Sequence, residues 1–261
     1  MLAKQITSRD NPFYKNLRKL MDSARERKKS GKTLLDGDHL ISAYLATGGM
    51  PETLILGSGA SQVPAIARLL ASLDSIPLVE LPAGLFADIS PVKSPTGILA
   101  LIGIPVQQPA GQDFCVLLED IQDPGNLGSI LRSAAASGVQ TAYLSKHCAD
   151  AWSPKVLRGG MGAHFALSIQ ENSALTEVAK RLPGMLLAAS LDGEMTLYET
   201  PMTGAVAFAI GNEGAGLSSG LEQCASQKIK IPMPGQIESL NAAAAAAICF
   251  FERVRQIAVK S

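Results

Sequence analysis

Residues 114–138, FCVLLEDIQDPGNLGSILRSAAASG, contain the pattern that decides the fold of the second half of the chain. Phe114–Leu118 is a short apolar run typical of a buried strand. A tight Asp-Pro-Gly-Asn segment follows, and then a predicted helix at Ser129–Ser137 and a predicted strand at Thr141–Leu144. A strand, a helix and a second strand in this order predict two parallel strands connected by a covering helix.

The same alternation continues to the end of the chain. The further predicted elements are a helix near Pro154–Arg158, a helix at Ser173–Arg181, strands at Met185–Ala189, Ala205–Ile210 and Ile229–Ile231, and a helix at about Leu240–Val259. Because strands alternate with helices, this half is predicted to be a mostly parallel sheet that helices cover on both faces.

The first half of the chain predicts a smaller α/β domain. A helical pattern begins at Asn11-Pro12 and ends at Gly31. Its apolar face contains Leu17 and Leu20, and cations occupy the other face. Strands and helices then alternate at Thr33–Leu35, His39–Leu45, Thr53–Leu56, Val63–Leu73, Pro77–Glu80, Gly84–Ile89 and Ile98–Ile104.

The sequence VQQPAGQ at residues 106–112 separates the two halves. Glutamines, a proline and a glycine between apolar runs are the composition of a linker. We therefore predict a first domain at residues 1–105 and a second at residues 113–261.

Charge is distributed unevenly along the 261 residues. The whole chain has no net charge and is 47% hydrophobic, the balance of a globular protein rather than a disordered one. Residues 1–33 contain ten cations and three acids, so the remainder of the chain is acidic. A basic end indicates contact with a polyanion, with a solvated amphipathic helix as the alternative.

Cysteine and histidine usage predicts no metal site. The cysteines are scattered without a CxxC pair, and the three histidines give no zinc spacing. Cys115 and Cys249 lie in apolar runs and are predicted to be small core residues.

No signal peptide is visible, and the longest apolar run, Ala242–Phe251, is shorter than the about 20 residues that span a bilayer. The expected location is therefore the cytoplasm, away from membranes.

Three loops with unusual sequences follow predicted strands, at the sheet edge where α/β proteins bind ligands. They are LLEDIQDPGNLGSILRSAAASG at 117–138, AIGNEGAGLSS at 209–219 and IPMPGQIESLNAAAAAA at 231–247. Glycines in the second loop permit close backbone approach to a ligand. Their GxxGxG spacing differs from the GxGxxG dinucleotide fingerprint, which argues against a nicotinamide oxidoreductase.

Each loop taken alone leaves a structural alternative open. The glycines fit a plain turn as well as a ligand loop, although Glu213 among them favours a ligand. Arg132, in an otherwise small and apolar helix, is either a surface side chain or aimed at an anion. Ser239 and Asn241 bracket Leu240 at a helix entrance, where either would serve as an N-cap.

In order and together, DPGNLGSILRSAAASG, GNEGAGLS and IPMPGQIESLN resemble the three motifs of the SpoU/TrmH group of SPOUT methyltransferases. That group methylates ribose 2′-hydroxyls of RNA with S-adenosylmethionine (SAM). The segment SPKVLRGGMGAHF at 153–165 is similar to a further family element. It has Gly-Gly-Met-Gly at 159–162 where many relatives have a serine, and Asp36-Gly37 replaces the usual Glu-Gly.

The resemblance covers nearly the whole chain and implies its architecture. It implies an α/β catalytic domain with a deep trefoil knot that forms the SAM site, and a homodimer through that domain. The first domain looks like the family's RNA-binding domain, a small α/β sandwich of the kind seen in some ribosomal proteins, which favours ribosomal over transfer RNA as substrate. The rival hypothesis is a non-catalytic RNA-binding or ribosome-assembly protein on the same fold.

The resemblance also implies residue roles. The catalytic residues by motif match are Arg132, Asn241, Asn126, Glu213 and Ser239. The cofactor-binding residues are Gly211, Ile231, Leu240, Met233 and Gly235. Because a guanidinium stays protonated, we expect Arg132 to bind RNA phosphate and stabilise the developing alkoxide rather than act as a base.

In the basic first domain, RNA contacts are predicted for Lys15, Arg18, Arg27 and Lys28, with salt-sensitive affinity. Tyr14 and Phe13 are candidates for stacking on an unpaired base, with core packing as the alternative for Phe13. His164 is predicted to serve packing or a hydrogen bond rather than catalysis.

Overall fold

The structure is a computed structural model, and it describes residues 3–108 and 110–259. Pro109, inside the predicted linker, lies outside the described residues. So do residues 1 and 2 of the predicted first domain and residues 260 and 261 of the predicted second domain. The elements up to residue 103 are β1 (Lys4–Gln5), α1 (Pro12–Asp22), α2 (Ala24–Ser30), β2 (Lys32–Asp36), α3 (Asp38–Ala46), β3 (Thr53–Gly57), α4 (Pro64–Ala71), β4 (Leu78–Leu81), α5 (Ala83–Asp88) and β5 (Ile98–Gly103).

The later elements end with a long helix. They are β6 (Phe114–Leu118), α6 (Pro124–Ser137), β7 (Thr141–Leu144), α7 (Pro154–Gly160), β8 (Ser168–Gln170), α8 (Leu175–Ala179), β9 (Met185–Ala189), β10 (Met195–Thr196), β11 (Val206–Ile210), α9 (Ser219–Cys224), β12 (Gln227–Lys230) and α10 (Ala242–Ala258). One-turn 3₁₀ helices lie at Ala60–Gln62, Ala163–Phe165 and Leu197–Glu199.

The chain forms two compact units. The first consists of Met1–Val106 together with Trp152–Phe165, and the second consists of Gln107–Ala151 and Ala166–Ser261. The predicted boundaries differ from this division in two respects. They assign Trp152–Phe165 to the second domain, and they place most of the linker, from Gln107 onward, outside it. The division into functional domains stays a prediction.

The first unit is built on a mixed five-stranded sheet in the order β1-β4-β3-β5-β2. Strand β4 is parallel to β1 and β3, whereas β5 is antiparallel to both β3 and β2. The apolar face of α1 packs on this sheet, with Leu17 and Leu20 fully buried, as the helical pattern predicts. The two-layer α/β arrangement expected for this half is therefore present.

The single helix predicted from Asn11 to Gly31 is two helices. Ser23 adopts an extended conformation and its hydroxyl accepts from the amide of Glu26, which makes it the N-cap of α2. A serine provides an alternative partner for helical amides, so it ends one helix and starts another. Gly31 ends α2 in the left-handed conformation, at the predicted position.

Arg27 and Tyr14 correct two predicted RNA contacts. Arg27 is only 4% exposed, and its Nη1 donates to the carbonyls of Leu20 (2.5 Å) and Met21 (3.0 Å) at the end of α1. Tyr14 is fully buried, and its hydroxyl donates to the Leu85 carbonyl at 3.2 Å. Both side chains stabilise the unit, because their position in the amphipathic pattern faces them inward.

Segment Trp152–Phe165 packs within the first unit. The Thr33 hydroxyl donates to the Trp152 carbonyl (2.6 Å), and the rings of Tyr44 and Phe165 lie 5.2 Å apart. His164 is buried with its ring edge-to-face against Trp152, 5.3 Å between centroids. The packing role predicted for His164 is confirmed.

The second unit contains a seven-stranded sheet in the order β10-β12-β9-β11-β6-β7-β8. All of its strand pairs are parallel, as the alternation predicts. Helix α10 packs against α6. Phe114, Phe208 and Phe250 form a buried edge-to-face cluster in this unit.

The predicted start of α6 moves because of a capping residue. Helix α6 begins at Pro124 rather than Ser129, since Asp123 accepts from the amide of Asn126 and proline suits the first helical position. The short strands β8 and β10 are not signalled by the sequence pattern. Cys115 and Cys249 are buried, which confirms their prediction as core residues.

Candidate functional site

A cavity of about 350 Å³ lies at the carboxyl ends of strands in the second unit. Its walls come from chain segments that follow β9, β11 and β12 and from the start of α10. The lining residues are Ala189–Asp192, Ile210–Leu217, Glu222, Ile229, Ile231, Met233, Ser239, Leu240, Ala242, Ala245 and Cys249. The cavity therefore lies at the edge of a parallel sheet where such folds bind ligands.

The glycine loop, residues 211–218, forms one wall of the cavity. Asn212 and Gly216 exchange backbone hydrogen bonds, and the Asn212 side-chain oxygen accepts from the amides of Gly214 and Ala215. A Cβ on Gly211 would overlap the backbone of Gly216, and Gly216 has a φ of +70°. Glycine at these two positions is thus required for the loop to close on itself.

The loop after β6 holds both ends of the glycine loop. The Asn212 side-chain amide donates to the carbonyl of Asp120 at 3.0 Å. Glu119 accepts from the amide and the hydroxyl of Ser218, each at 2.7 Å. The sequence singled out neither Glu119 nor Asn212 as a site residue, because their partners lie 99 and 92 positions away along the chain.

Three side chains, one from each unusual loop, form a hydrogen-bonded chain beside the cavity. The Asn126 amide donates to Glu213 Oε1 (2.5 Å), and the Asn241 amide donates to Asn126 Oδ1 (2.8 Å). Asn241 Oδ1 also accepts from the amides of Ala243 and Ala244, so the same residue caps α10. The structure therefore joins the three loops at one place.

The predicted cofactor residues are distributed around the cavity with one exception. Gly211, Ile231, Met233 and Leu240 line it, whereas Gly235 is not among the lining residues. Ser239, predicted to be catalytic, also lines the cavity, and it is exposed.

Arg132 lies on α6, six residues beyond Asn126, or about 9 Å along the helix axis. It is exposed and is not among the residues that line the cavity. Within residues 3–108 and 110–259, its side chain has no hydrogen bond or ion pair. A guanidinium in this state is available to an anionic ligand.

The segment Ala189–Asp192 after β9 is a wall of the cavity that sequence reasoning missed. The available signal was a polar Ser190 and Asp192 directly after the apolar strand MLLAA. Cys249 of α10 also lines the cavity, and burial raises the pKa of its thiol to about 12, so it presents an uncharged wall.

The electrostatic character of the cavity is acidic. Asp192, Glu213 and Glu222 are among its lining residues, and no lysine or arginine is among them in the described part of the chain. Ile231, Met233 and Leu240 add an apolar surface. This combination suits a ligand that has a flat apolar ring and a positive charge.

In the first unit, three of the cations predicted to contact RNA are exposed: Lys15, Arg18 and Lys28. Lys15 forms an ion pair with Asp10 at 2.8 Å.

The described residues contain no group of three or more side chains placed to hold a metal ion. No helix within the described ranges has the length and apolar character required to cross a bilayer.

Fold and site first define a class of protein, an α/β ligand-binding unit with a parallel sheet and a second, smaller α/β unit. Residues 113–251 match the SpoU rRNA Methylase family, and residues 11–100 match the MRM3-like substrate binding domain. The chain belongs to the SpoU rRNA Methylase family. The predicted family, α/β fold and enzyme class are confirmed.

Relatives match nearly the full length of the chain. It is 30% identical to the 23S rRNA (guanosine(2553)-2′-O)-methyltransferase of Bacillus subtilis over 95% of this chain and 98% of that protein. It is 34% identical to an uncharacterised tRNA/rRNA methyltransferase of Synechocystis over 96% and 93% of the two chains. The SpoU methyltransferase AviRb from Streptomyces viridochromogenes, in complex with the cofactor AdoMet, superposes with a TM-score of 0.84 at 29% identity, covering 94% and 98%.

Proposed function

We propose that this protein transfers a methyl group from SAM to a ribose 2′-hydroxyl of ribosomal RNA. The observation that carries the proposal is the hydrogen-bonded chain Glu213–Asn126–Asn241, which joins the three motif loops beside a cofactor-sized cavity. A non-catalytic RNA-binding protein would not need these exposed polar groups to be held together.

The residues present fit SAM. An acidic cavity favours a sulfonium cation, and Ile231, Met233 and Leu240 offer an apolar surface to an adenine. The closed glycine loop brings backbone groups to the same wall. When bound, SAM supplies the methyl group as an electrophile, and the AdoMet complex of a full-length relative supports this cofactor.

The network residues have a positioning role in this proposal. Methyl transfer requires the 2′-oxygen to lie in line with the methyl carbon, and holding the reactants in that orientation lowers the barrier. Asn126 and Asn241 hold each other, and Asn126 is held in turn by Glu213. Ser239 contributes a hydroxyl to the cavity wall.

Arg132 has a different role, to bind RNA phosphate and stabilise the developing alkoxide. Its exposure and its lack of a partner in the described part of the chain support binding of an anion. Since the guanidinium remains protonated, it acts by charge and by its two-pronged geometry rather than as a base.

Ribosomal RNA is favoured over transfer RNA. The family model that matches residues 113–251 is an rRNA methylase model, and the full-length Bacillus relative acts by its name on 23S rRNA. Lys15, Arg18 and Lys28 are exposed in the part that matches a substrate-binding domain, so they neutralise RNA phosphates.

Assembly and location complete the proposal. The protein is a homodimer through its second domain, a view supported by the exposed apolar side chains of Phe251 and Ile257 on α10. The second domain has a deep trefoil knot, which its family membership supports. The domains are 1–105 and 113–261, with a linker at 106–112, and a ribosomal substrate in a bacterial relative supports a cytoplasmic location.

The test is transfer of tritiated methyl groups from SAM to total RNA from a strain that lacks the protein, followed by a map of ribose methylation. We expect incorporation into ribosomal RNA at 2′-oxygens, at a rate at least about 100-fold lower with Arg132→Ala. Incorporation into transfer RNA alone would support the alternative substrate. No incorporation into any RNA by a folded, SAM-binding protein would favour the non-catalytic rival.

A further inference from the structure

Segment Trp152–Phe165 belongs to one part of the chain by sequence and to another by packing. In sequence it lies within the match to the methylase family at residues 113–251. In space it packs within the first unit, which contains the substrate-binding match at residues 11–100. The chain therefore leaves the second unit after Ala151 and returns to it at Ala166, just before β8.

A buried ionic cluster holds this segment in the first unit. Asp36 lies at the end of β2, and its carboxylate side chain is fully inaccessible to solvent. Its Oδ2 accepts from Arg158 Nη1 of α7 at 2.9 Å, and its Oδ1 accepts from the Thr96 hydroxyl at 2.6 Å. The side chain of Arg158 is 37% exposed, whereas that of Asp36 is not exposed at all, so only one partner of the ion pair is fully removed from water.

The segment has other contacts within the first unit as well, including apolar packing: Val156 and Leu157 are fully buried, and the Tyr44 ring lies against Phe165. Strand β2 also binds the segment through Thr33 and the Trp152 carbonyl, and a Cβ on Gly162 would come within 2.9 Å of Ala43. Apolar packing and close approach of small residues favour burial of the segment, and a core filled in this way loses its unique arrangement before it loses stability. The Asp36–Arg158 pair adds a charged, directional hydrogen bond between β2 and the segment.

Burial of Asp36 has a cost that the cluster offsets only in part, so the pKa of its carboxyl stays above the usual value. Desolvation raises the pKa of Asp36, whereas the Thr96 hydrogen bond and the Arg158 charge lower it. Buried ion pairs contribute little net stability compared with apolar side chains of similar size, but loss of one partner leaves a buried charge uncompensated. Such a pair is therefore suited to specifying one arrangement of the segment.

We propose that Asp36, Thr96 and Arg158 form a latch that fixes segment 152–165 in the substrate-binding unit, so that productive use of RNA depends on it while SAM binding does not. This inference rests on the proposed RNA methyltransferase function. The three are positioning residues, since none of them lines the cavity. The latch acts through the two chain connections that lead from the segment to Ala151 and to β8.

The test combines Arg158→Gln, which removes the charge, with Arg158→Lys, which retains it. Hydrogen exchange of the full chain reports the latch without reference to activity. We expect segment 152–165 to exchange about tenfold faster in Arg158→Gln than in the wild type, and Arg158→Lys to restore most of the protection.

Kinetics with SAM and ribosomal RNA then show whether the latch affects use of RNA and leaves SAM binding unchanged. We expect KM for RNA to rise about tenfold in Arg158→Gln, with kcat and the Kd for SAM within about twofold of wild type. The matched control is Glu52→Gln, which breaks the Lys32–Glu52 ion pair in the same unit without touching the segment. It should change neither the exchange nor KM.

Other outcomes would overturn the latch. Unchanged exchange in Arg158→Gln would show that the ion pair does not hold the segment, whatever the enzyme does. Faster exchange with an unchanged KM would show a purely structural pair. If Arg158→Gln does not fold, Asp36→Asn, which keeps a partner for Thr96, takes its place with the same expected results. Absence of methyl transfer by the wild type would refute the proposed function but leave the exchange result readable.

Discussion

Arg27 in the first unit and Arg132 in the second are the same residue type in opposite circumstances. Arg27 is 4% exposed and donates to the carbonyls of Leu20 and Met21. Arg132 is exposed, and its side chain has no polar partner among residues 3–108 and 110–259. Both were predicted to meet RNA. The difference teaches that a cation in a motif or a basic stretch is available for a ligand only if the fold leaves it unused.

The two units extend this contrast. In the first unit, polar side chains such as Tyr14 and Asp36 are buried and satisfied within the unit. In the second, Asn126, Glu213 and Asn241 are at least partly exposed and bond to one another across loops. The first arrangement stabilises a fold, whereas the second organises a surface for a ligand.

The largest effect is expected for Arg132→Ala. Loss of a charge that stabilises a developing oxyanion lowers kcat by about 100- to 1,000-fold. Because the side chain is exposed and has no partner in the described ranges, the free energy of unfolding should change by less than about 0.5 kcal/mol. Single-turnover methyl transfer and urea unfolding measure the two quantities.

Arg132→Lys sharpens this prediction. Lysine keeps the charge but not the planar fork that binds a phosphate with two hydrogen bonds. We expect kcat well below that of the wild type at saturating RNA. Near-full turnover of Arg132→Lys would show that the geometry of the guanidinium is unimportant.

The next-largest effect is expected for Arg27→Ala, which should lower the free energy of unfolding. Removal of the guanidinium leaves carbonyls at the end of α1 without their donor, which should cost about 2 kcal/mol of unfolding free energy. The exposed neighbour Arg25→Ala is the control, and it should change stability by less than about 0.5 kcal/mol. Stability losses of equal size in both variants would contradict the contrast between buried and exposed cations.

The smallest effect is expected in the glycine loop. Gly211→Ala places a Cβ against the backbone of Gly216 and 2.6 Å from the amide nitrogen of Leu217, so the loop has to open. We expect the Kd for SAM to rise about tenfold, equivalent to about 1.4 kcal/mol. Gly214→Ala is the matched control, since its Cβ would lie 3.5 Å from Asn212 Oδ1, an ordinary contact. Equal affinities of the two variants by calorimetry would mean that the loop does not form the SAM site.

Local patterns explain how much of the fold was predictable. Strands β6, β7 and β9 have the bounds predicted from their apolar runs. Gly31 ends α2 and Asn241 caps α10, as residues of those types do. The break at Ser23 and the early start of α6 were missed, because capping by a serine or an aspartate competes with a continuous helical pattern.

The candidate site was predictable only in part. The motifs identified the loops, but Glu119, Asn212 and the segment Ala189–Asp192 were recognised only from their contacts with those loops. Arg27 shows the reverse error, since a basic stretch does not indicate which of its cations face inward.

The sequence by itself determined the alternation of strands and helices, the asymmetry of charge and the three motif loops, because each depends on residues close together along the chain. The tertiary structure alone decided which residues meet. Asn126 lies 87 positions from Glu213 and 115 from Asn241, and only the order of the parallel strands brings their loops to one edge. It likewise decided that segment 152–165 packs beside β2 and that Arg27 is buried. Hydrogen bonds and burial depend on distance in space, which a pattern of neighbouring residues does not contain.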